Sequence, residues 1–432
     1  METPLKLDYE TCAKKPEVQA ATASWSLWFT MSQDSPAFFI LIFAGYFVDK
    51  FGHKAALKTS MVSCISLSLI YFMATVFEFP LHIFLVVYAI GGITGGMSLS
   101  SMTTSAYIAA TTTPSERTKY FMLQQCALSI SLAIGPVFGG YVAKEFGFRV
   151  IFGIMLLSSL LLGGYIILIF PDSVNGSSID CDDNEDASSL RKVFQESVST
   201  TATTILFLFS HRTSRSIMFI FVAYAISGSA SEPMFIMYPS KAFGWDSLDI
   251  GQFLSFVSIQ RILLLTFGLP VIEQIFRHGG DKLGGEIRLL RFALLTGSVG
   301  TACFGFARNA SEFWLSTSIV SLATFASPTA KSILSTIVPV YMQGRLFSSL
   351  GMFLSATMLT GSISMNKFYQ ATVKQAPQAI FFVASSLDLV AFISGLFGIR
   401  KDGVQQMRDD SRSTEENFSC SNSPTEETAL LA

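Results

Sequence analysis

The chain of 432 residues has few charged side chains: Asp, Glu, Lys and Arg together make up 14% of the sequence. Soluble domains usually carry about 25% of these residues. The formal net charge at pH 7 is -2, which argues against nucleic acid as a partner because no strongly basic surface is expected. The deficit of charge instead favours a chain that keeps most of its residues away from water.

Residues that build catalytic and metal sites are also scarce. The four histidines are scattered along the chain, and the six cysteines show no close pair and no zinc-ligand spacing. No Walker A loop is present, so ATP is not expected to drive any activity. The sequence therefore predicts neither an enzyme nor a bound cofactor or metal. We interpret the cysteines as small hydrophobic residues.

Long apolar runs are what the chain does contain. Half of its residues are hydrophobic, and the mean hydropathy is +0.49. Stretches of about 20 apolar residues can cross a bilayer as helices, and these runs lack the period-two alternation of barrel strands. The sequence predicts an all-α integral membrane protein with eleven spans, at residues 24–48, 57–77, 81–109, 120–143, 150–170, 217–238, 250–275, 289–306, 313–337, 347–372 and 379–399.

Polar segments divide these spans into two groups. The predicted parts are an external polar N-terminus, an N-terminal helical bundle, an acidic linker, a C-terminal six-helix bundle and a disordered tail, at residues 1–23, 24–171, 172–216, 217–400 and 401–432. Lys and Arg are concentrated in one set of loops, which the positive-inside rule assigns to the cytosol together with the linker and the tail.

The tail carries an acidic dileucine pattern made by Glu426, Leu430 and Leu431. Such patterns in cytosolic tails resemble sorting signals that adaptor complexes bind. The pattern predicts a sorting adaptor as a partner and favours a vacuolar or lysosome-like membrane. The plasma membrane is the alternative location.

A short motif joins the first two predicted spans. It contains Gly45, Asp49, Lys50, Gly52 and Lys54, and it resembles motif A of the major facilitator superfamily. A glycine at the first position lets another helix approach closely, and the second glycine permits a tight turn. The resemblance implies a conformational latch that is made in one state and broken in the other. An ordinary cytosolic turn with positive charges is the alternative.

A second motif lies in the predicted span 120–143. Its residues Gly135, Pro136, Gly139 and Gly140 resemble motif C of the drug:proton antiporters of the same superfamily, with Ser131 in place of the leading glycine. The proline is expected to kink the helix, and the glycines to allow close packing against the opposite bundle. A general helix-packing face is the alternative.

The chain therefore resembles the major facilitator superfamily, in particular its fungal members and the drug:proton antiporter-like branch, over about residues 10–400. The resemblance implies the major facilitator fold, in which two pseudo-symmetric helical bundles together contain twelve helices. Asp49 would mark the loop after the second of these helices. Residues 1–23 are too polar and too short to hold the first, so about 11 helices are expected, with the first one missing.

Ionisable residues inside predicted spans are costly in lipid and mark candidate substrate or proton pathways. They include Asp34, Glu232, Arg261 and Asp388. A carboxyl group in such a place can bind and release a proton as access alternates, and Asp34 is the first candidate for coupling, with Glu232 second. The alternative is a structural ion pair, which we favour for Arg261 with Asp388 or Glu232. Lys331 is expected only to extend toward the cytosolic interface.

These features predict a secondary active transporter that moves a small organic solute by alternating access and is coupled to protons. The expected partners are the lipid bilayer, a small-molecule substrate and the proton. The alternative is a non-transporting membrane receptor or sensor, or an inactive truncated family member, and the missing first helix favours it.

Overall fold

A computed structural model of the chain describes residues 16–77, 79–113, 116–171, 204, 206, 208–230, 233–245, 247–268, 271, 274–275, 282–338, 342–372 and 374–409. Several predicted site residues lie outside this description: Glu232 and the tail residues Glu426, Leu430 and Leu431. For Asp49 and Pro136 the description covers the backbone alone.

The first half of the described chain contains five helices: α1 (Pro16–Ala74), α2 (His82–Ile93), α3 (Gly96–Thr111), α4 (Arg117–Phe146) and α5 (Phe148–Leu168). Two predicted spans are joined in α1 without an intervening loop. The chain turns between them at Gly52, where φ is 84° and ψ is 165°. Only glycine adopts such angles readily, so this residue has the turning role expected of it.

The described second half is more interrupted. Its helices are α6 (Arg212–Gly228), α7 (Tyr238–Ala242), α8 (Ser247–Leu263), α9 (Lys282–Phe306), α10 (Ala310–Ser321), α11 (Ala326–Ile337), α12 (Gln343–Thr372) and α13 (Ala379–Gly398). Two π-helical turns (Pro233–Met237 and Leu264–Gly268) and one 3-10 turn (Leu322–Phe325) connect some of them.

Within the described residues, nine segments are long and apolar enough to cross a membrane. Two further predicted spans, 217–238 and 313–337, consist of shorter helices. A π-helical turn that begins at Pro233 follows α6, because a proline has no amide hydrogen for the helical ladder. The 3-10 turn separates α10 from α11. The described residues contain no strand, and the predicted all-α membrane fold is confirmed.

Contacts between helices define two bundles. In the first, α1 packs against α2, α3 and α5; in the second, α13 packs against α6 and α9. The bundles meet where α1 and α3 contact α12, and where α4 contacts α8 and α11. We call this interface the seam. By contrast, α5 presents leucines such as Leu161 and Leu168 to the outside, as a lipid-facing helix should.

An aromatic cluster holds together the second bundle at the end away from the predicted cytosolic side. Phe304 and Phe313 have ring centroids 4.5 Å apart, and Tyr238 and Phe381 have theirs 4.9 Å apart. Phe253 packs against the same rings. Aromatic pairs of this kind contribute about 0.5–1.5 kcal/mol each beyond area burial. The cluster therefore favours movement of this bundle as one body.

Candidate functional site

The seam is tightest where α1 passes the beginning of α12. A Cβ atom on Gly45 would lie 2.9 Å from Arg345 Cα, a distance that real side chains do not tolerate. Phe121 and Phe347 pack across the same interface with centroids 5.8 Å apart. Gly45 thus makes the close helix approach that its motif predicts.

The other motif A residues lie just beyond this contact. Lys50 is exposed, and its Nζ is 3.4 Å from Tyr46 Oη and 5.7 Å from the Phe51 ring centroid. Lys54 is half-buried. Asp49 follows Gly45 by one helical turn, so its backbone lies on the same face of α1. A latch formed by these charges remains a prediction.

A set of polar contacts closes the seam at the predicted cytosolic end, and we call it the cytosolic gate. Arg117 is 4% exposed, and its Nη1 donates to the carbonyl oxygen of Ser335 at 2.7 Å. Thr118 Oγ1 lies 2.7 Å from Ser332 Oγ and is hydrogen-bonded to Glu286. Because Arg117 and Thr118 begin α4 and the other three residues belong to α9 and α11, each bond crosses the seam.

Arg117 also supplies a hydrogen-bond donor to a backbone carbonyl group at the end of α11. The last carbonyl groups of a helix have no partner within the helix, and a cation there is favoured by the helix dipole. Ser335 lies in the last turn of α11, and its carbonyl oxygen accepts from Arg117 and from Gln343 Nε2, the latter at 2.9 Å. A residue of one bundle therefore caps a helix of the other.

Lys331 does not extend toward the cytosolic interface, contrary to the prediction. Its Nζ lies 3.3 Å from Ser105 Oγ of α3, across the seam. Ser105 is buried, and its hydroxyl is 3.4 Å from Gln124 Oε1 of α4. Since Ser332 of the gate is the next residue along α11, this polar group forms a layer directly inside the gate.

The other half of α4 carries the residues of motif C. Gly135 would have no atom within 4 Å of an added Cβ, and Gly139 would meet Ile151 of α5, in its own bundle, at 3.1 Å. Val137 and Tyr141 are exposed. The expected packing of these glycines against the opposite bundle is not present in this structure, so any role of motif C in switching remains a prediction.

The predicted carboxyl groups have different surroundings. Asp34 is half-buried in α1. Asp388 of α13 is 4% exposed; its Oδ2 lies 3.3 Å from Thr301 Oγ1, and its Oδ1 is buried without a hydrogen-bond partner. Arg261 is half-buried. Both Arg261 and Asp388 act electrostatically on Tyr224.

The ion pair that we favoured for Arg261 is not formed with Asp388. The side chains that contact the carboxyl group of Asp388 are the hydroxyl groups of Thr301 and Ser227. The two residues belong to different helices, α8 and α13, and each acts electrostatically on Tyr224 of α6. The other favoured partner, Glu232, lies outside the described residues.

Comparisons with known proteins agree on one family. The family model described as "Major Facilitator Superfamily" matches residues 11–276. The "MFS-type transporter avaJ" of Aspergillus versicolor is 24% identical over 375 residues, which are 81% of this chain and 71% of that protein.

Solved structures show the same fold. The human organic anion transporter MFSD10 (TETRAN) superposes with a TM-score of 0.67 at 18% identity, over 85% of this chain and 83% of that one. The proton:xylose symporter XylE gives a TM-score of 0.66 at 15% identity, over 87% and 86% of the two chains. The major facilitator architecture predicted from the sequence is confirmed.

Proposed function

The chain belongs to the major facilitator superfamily of membrane transporters, and on that premise we propose that it moves a small organic solute by alternating access, coupled to protons. The observation that carries the proposal is the uneven seam. Polar contacts close it at the cytosolic gate, while Gly135 in the outer half of α4 has no atom within 4 Å of an added Cβ. Alternating access requires that one interface be closed at one end in one conformation and at the other end in the other conformation.

The gate is suited to opening because polar groups can exchange their hydrogen bonds to each other for hydrogen bonds to water at modest cost in free energy. Arg117, Thr118 and Glu286 would each find water molecules if the bundles separated at this end. A seam of interlocked apolar side chains would resist such hydration. The gate therefore supports a rocking movement of the two bundles.

Asp388 supports proton coupling through the geometry of its neighbours. Thr301 Oγ1 lies 2.8 Å from the carbonyl oxygen of Gly297 as well as 3.3 Å from Asp388 Oδ2. A hydroxyl group has one hydrogen. If that hydrogen goes to Gly297, the contact with Asp388 needs a proton on the carboxyl group.

Asp34 is the second proton carrier in this proposal. It lies beside Pro36 within α1 and keeps part of its surface accessible. A carboxyl group that is accessible in one state and enclosed in the other can exchange its proton on alternate sides. Arg261 completes the set as a cation near Asp388 that could take part when that carboxyl group is charged.

The relatives suggest the kind of cargo and its location. One solved neighbour is named an organic anion transporter, and another a proton:xylose symporter. Such names support small organic solutes and proton coupling for this chain. The dileucine pattern of Glu426, Leu430 and Leu431 supports binding of a sorting adaptor and location in a vacuolar or lysosome-like membrane.

The test uses the full chain in proteoliposomes with an imposed pH gradient. Uptake of radiolabelled benzoate, xylose and ethidium is measured with the gradient and after a protonophore collapses it. We expect accumulation of at least one solute with the gradient only. Asp34→Asn and Asp388→Asn should each abolish accumulation but keep exchange of the solute between the two sides.

Glu145→Gln, at an exposed position near the outer end of α4, is the matched control and should accumulate solute normally. Proton coupling is wrong if accumulation persists after the gradient collapses and if both asparagine variants behave like the wild type. Transport itself is wrong if none of the three solutes, nor a wider panel of similar size, enters the vesicles.

A further inference from the structure

Lys331 is a basic residue inside the membrane. It takes no part in the gate contacts or in the proposed proton transfer. Its hydrogen bond to Ser105 is a contact with a neutral hydroxyl group. No carboxylate among the described residues forms an ion pair with it. A lysine within a bilayer is retained only where water, a counter-charge or a ligand compensates it. One serine does not supply that compensation.

Lys331 is one of the few partly accessible positions of its helix. Within α11, every residue is buried except Ser327, Lys331 and Thr336. Ser327 and Lys331 are four residues apart and so lie on one face. The next residue after Lys331, Ser332, is buried in the gate. A solute that enters between the bundles from the side opposite the gate would therefore meet Lys331 just before the closed end.

Further polar groups surround this position on the opposite bundle. Ser101 is exposed one turn before Ser105 on α3, and Gln124 of α4 places its side-chain amide beside Ser105. Above Gln124 on the same face of α4 are Leu128 and Leu132, which are 47% and 50% exposed. The position thus combines one positive charge and neutral polar groups, with apolar side chains further along α4.

We propose that Lys331 binds the anionic group of the transported solute, so that the substrate class is a small organic monoanion with an apolar body. The inference rests on the proposed function. The ammonium group pairs with one carboxylate or sulfonate, and hydroxyl and amide donors take its remaining oxygens. A cationic solute would be repelled there, and a neutral one would leave the charge uncompensated.

Binding at this position also communicates with the gate. An anion that takes the Lys331 ammonium competes with Ser105 for it, and so removes one bond across the seam. Lys331 and Ser332 are consecutive in α11, so the same helix carries the substrate contact and the gate contact. Occupancy of the site therefore loosens the closed end.

The experiment measures binding by the purified full chain in detergent, through thermal unfolding at increasing ligand concentration. The probes are two matched sets: benzoate, benzamide and benzamidinium, and 2-naphthoate, 2-naphthamide and 2-naphthamidinium. We expect each carboxylate to bind at least 10-fold more tightly than its amide, and the amidinium ions not to bind. Lys331→Met should remove this preference, and Lys331→Arg should retain it.

Lys367→Met, at an exposed position of α12, is the charge-matched control and should bind like the wild type. If Lys331→Met does not fold, Lys331→Gln decides the question, because it removes the charge and keeps a polar side chain that can contact Ser105. This variant should lose the preference for carboxylates over amides. A retained preference in Lys331→Gln would overturn the proposal.

The proposal is also overturned if amides bind as tightly as carboxylates, if Lys331→Met keeps the preference, or if neither carboxylate binds. Its failure can be told apart from failure of the proposed function. Selective carboxylate binding without any vesicle uptake would leave this inference standing and remove transport. Normal uptake of solutes by Lys331→Met would leave transport standing and remove the inference.

Discussion

Arg117 and Arg291 both donate to carbonyl groups at the ends of helices, but in different regions. Arg117 donates across the seam to the last turn of α11, through the carbonyl oxygen of Ser335 at 2.7 Å. Arg291 of α9 donates within the second bundle to the end of α13, with 2.7 Å between its Nη2 and the carbonyl oxygen of Ile399. The chemistry is the same, a guanidinium group on orphan helix carbonyls.

The difference is in what the bond joins. Arg291 also contacts the carbonyl oxygens of Gly395 and Leu396, and its helix and α13 belong to one bundle. Arg117 joins two bundles that alternating access must separate. The comparison indicates that bonds inside a bundle serve stability, whereas bonds across the seam set the balance between two conformations.

Two glycines, Gly45 in the seam and Gly300 within the second bundle, allow the same comparison. Their substitution has the largest expected effect on transport and folding. A Cβ on Gly45 would approach Arg345 Cα to 2.9 Å across the seam, and a Cβ on Gly300 would approach the backbone nitrogen of Val320 to 2.7 Å within the second bundle. We expect Gly45→Ala to fold but to lose at least about 10-fold in gradient-driven uptake, because the gate cannot close.

Gly300→Ala should instead lower the yield of folded protein, since the strain lies within one bundle. Gly164→Ala is the control, because a Cβ there meets no atom within 4 Å. It should express and transport like the wild type. Uptake and size-exclusion profiles measure both properties. The comparison between seam and interior breaks down if Gly45→Ala unfolds the protein as Gly300→Ala does.

The two arginines give the next effect. Hydrogen bonds to charged groups contribute about 1.5–3 kcal/mol, so Arg117→Met should shift the equilibrium toward the gate-open state by about 10-fold or more. Arg291→Met should lower the melting temperature by several degrees and leave that equilibrium unchanged.

The rate at which Cys126 reacts with a maleimide can distinguish the two arginine variants. It is 7% exposed in the seam, with its Sγ 3.6 Å from Thr266 Oγ1. An impermeant maleimide added from the gate side should label Cys126 about 10-fold faster in Arg117→Met than in the wild type or in Arg291→Met, as followed by mass spectrometry of the labelled peptide. Equal labelling of both arginine variants would contradict the assignment of Arg117 to the gate.

The sequence predicted the parts of the molecule that follow from local pattern. Apolar runs and loop charges were sufficient for the helices and for the all-α membrane class. The spacing of Gly45 and Gly52 was sufficient for a close helix approach and a turn, because both depend on backbone sterics. These properties are carried by a residue and its immediate neighbours.

The gate and the layer inside it could not be predicted in the same way. The position of Lys331 along its span suggested the cytosolic interface, but its direction depends on how α10 and α11 are rotated on either side of the 3-10 turn. The partners of Arg117 and Thr118 lie more than 160 residues away in the sequence. Such contacts arise from packing of the bundles, which no local pattern encodes.

Thr118 gives the smallest effect and the sharpest test of the comparison. Thr118→Val keeps the side-chain volume but removes the hydrogen bonds to Glu286 and Ser332 across the seam. A net loss of about 1 kcal/mol should raise the labelling rate of Cys126 by about 5-fold and change the melting temperature little. Ser158→Ala removes a bond from an exposed hydroxyl to the Ile154 carbonyl within α5, and should change neither property. A large fall in melting temperature without faster labelling would mean that Thr118 acts as an interior bond does, so that the gate would rest on Arg117 alone.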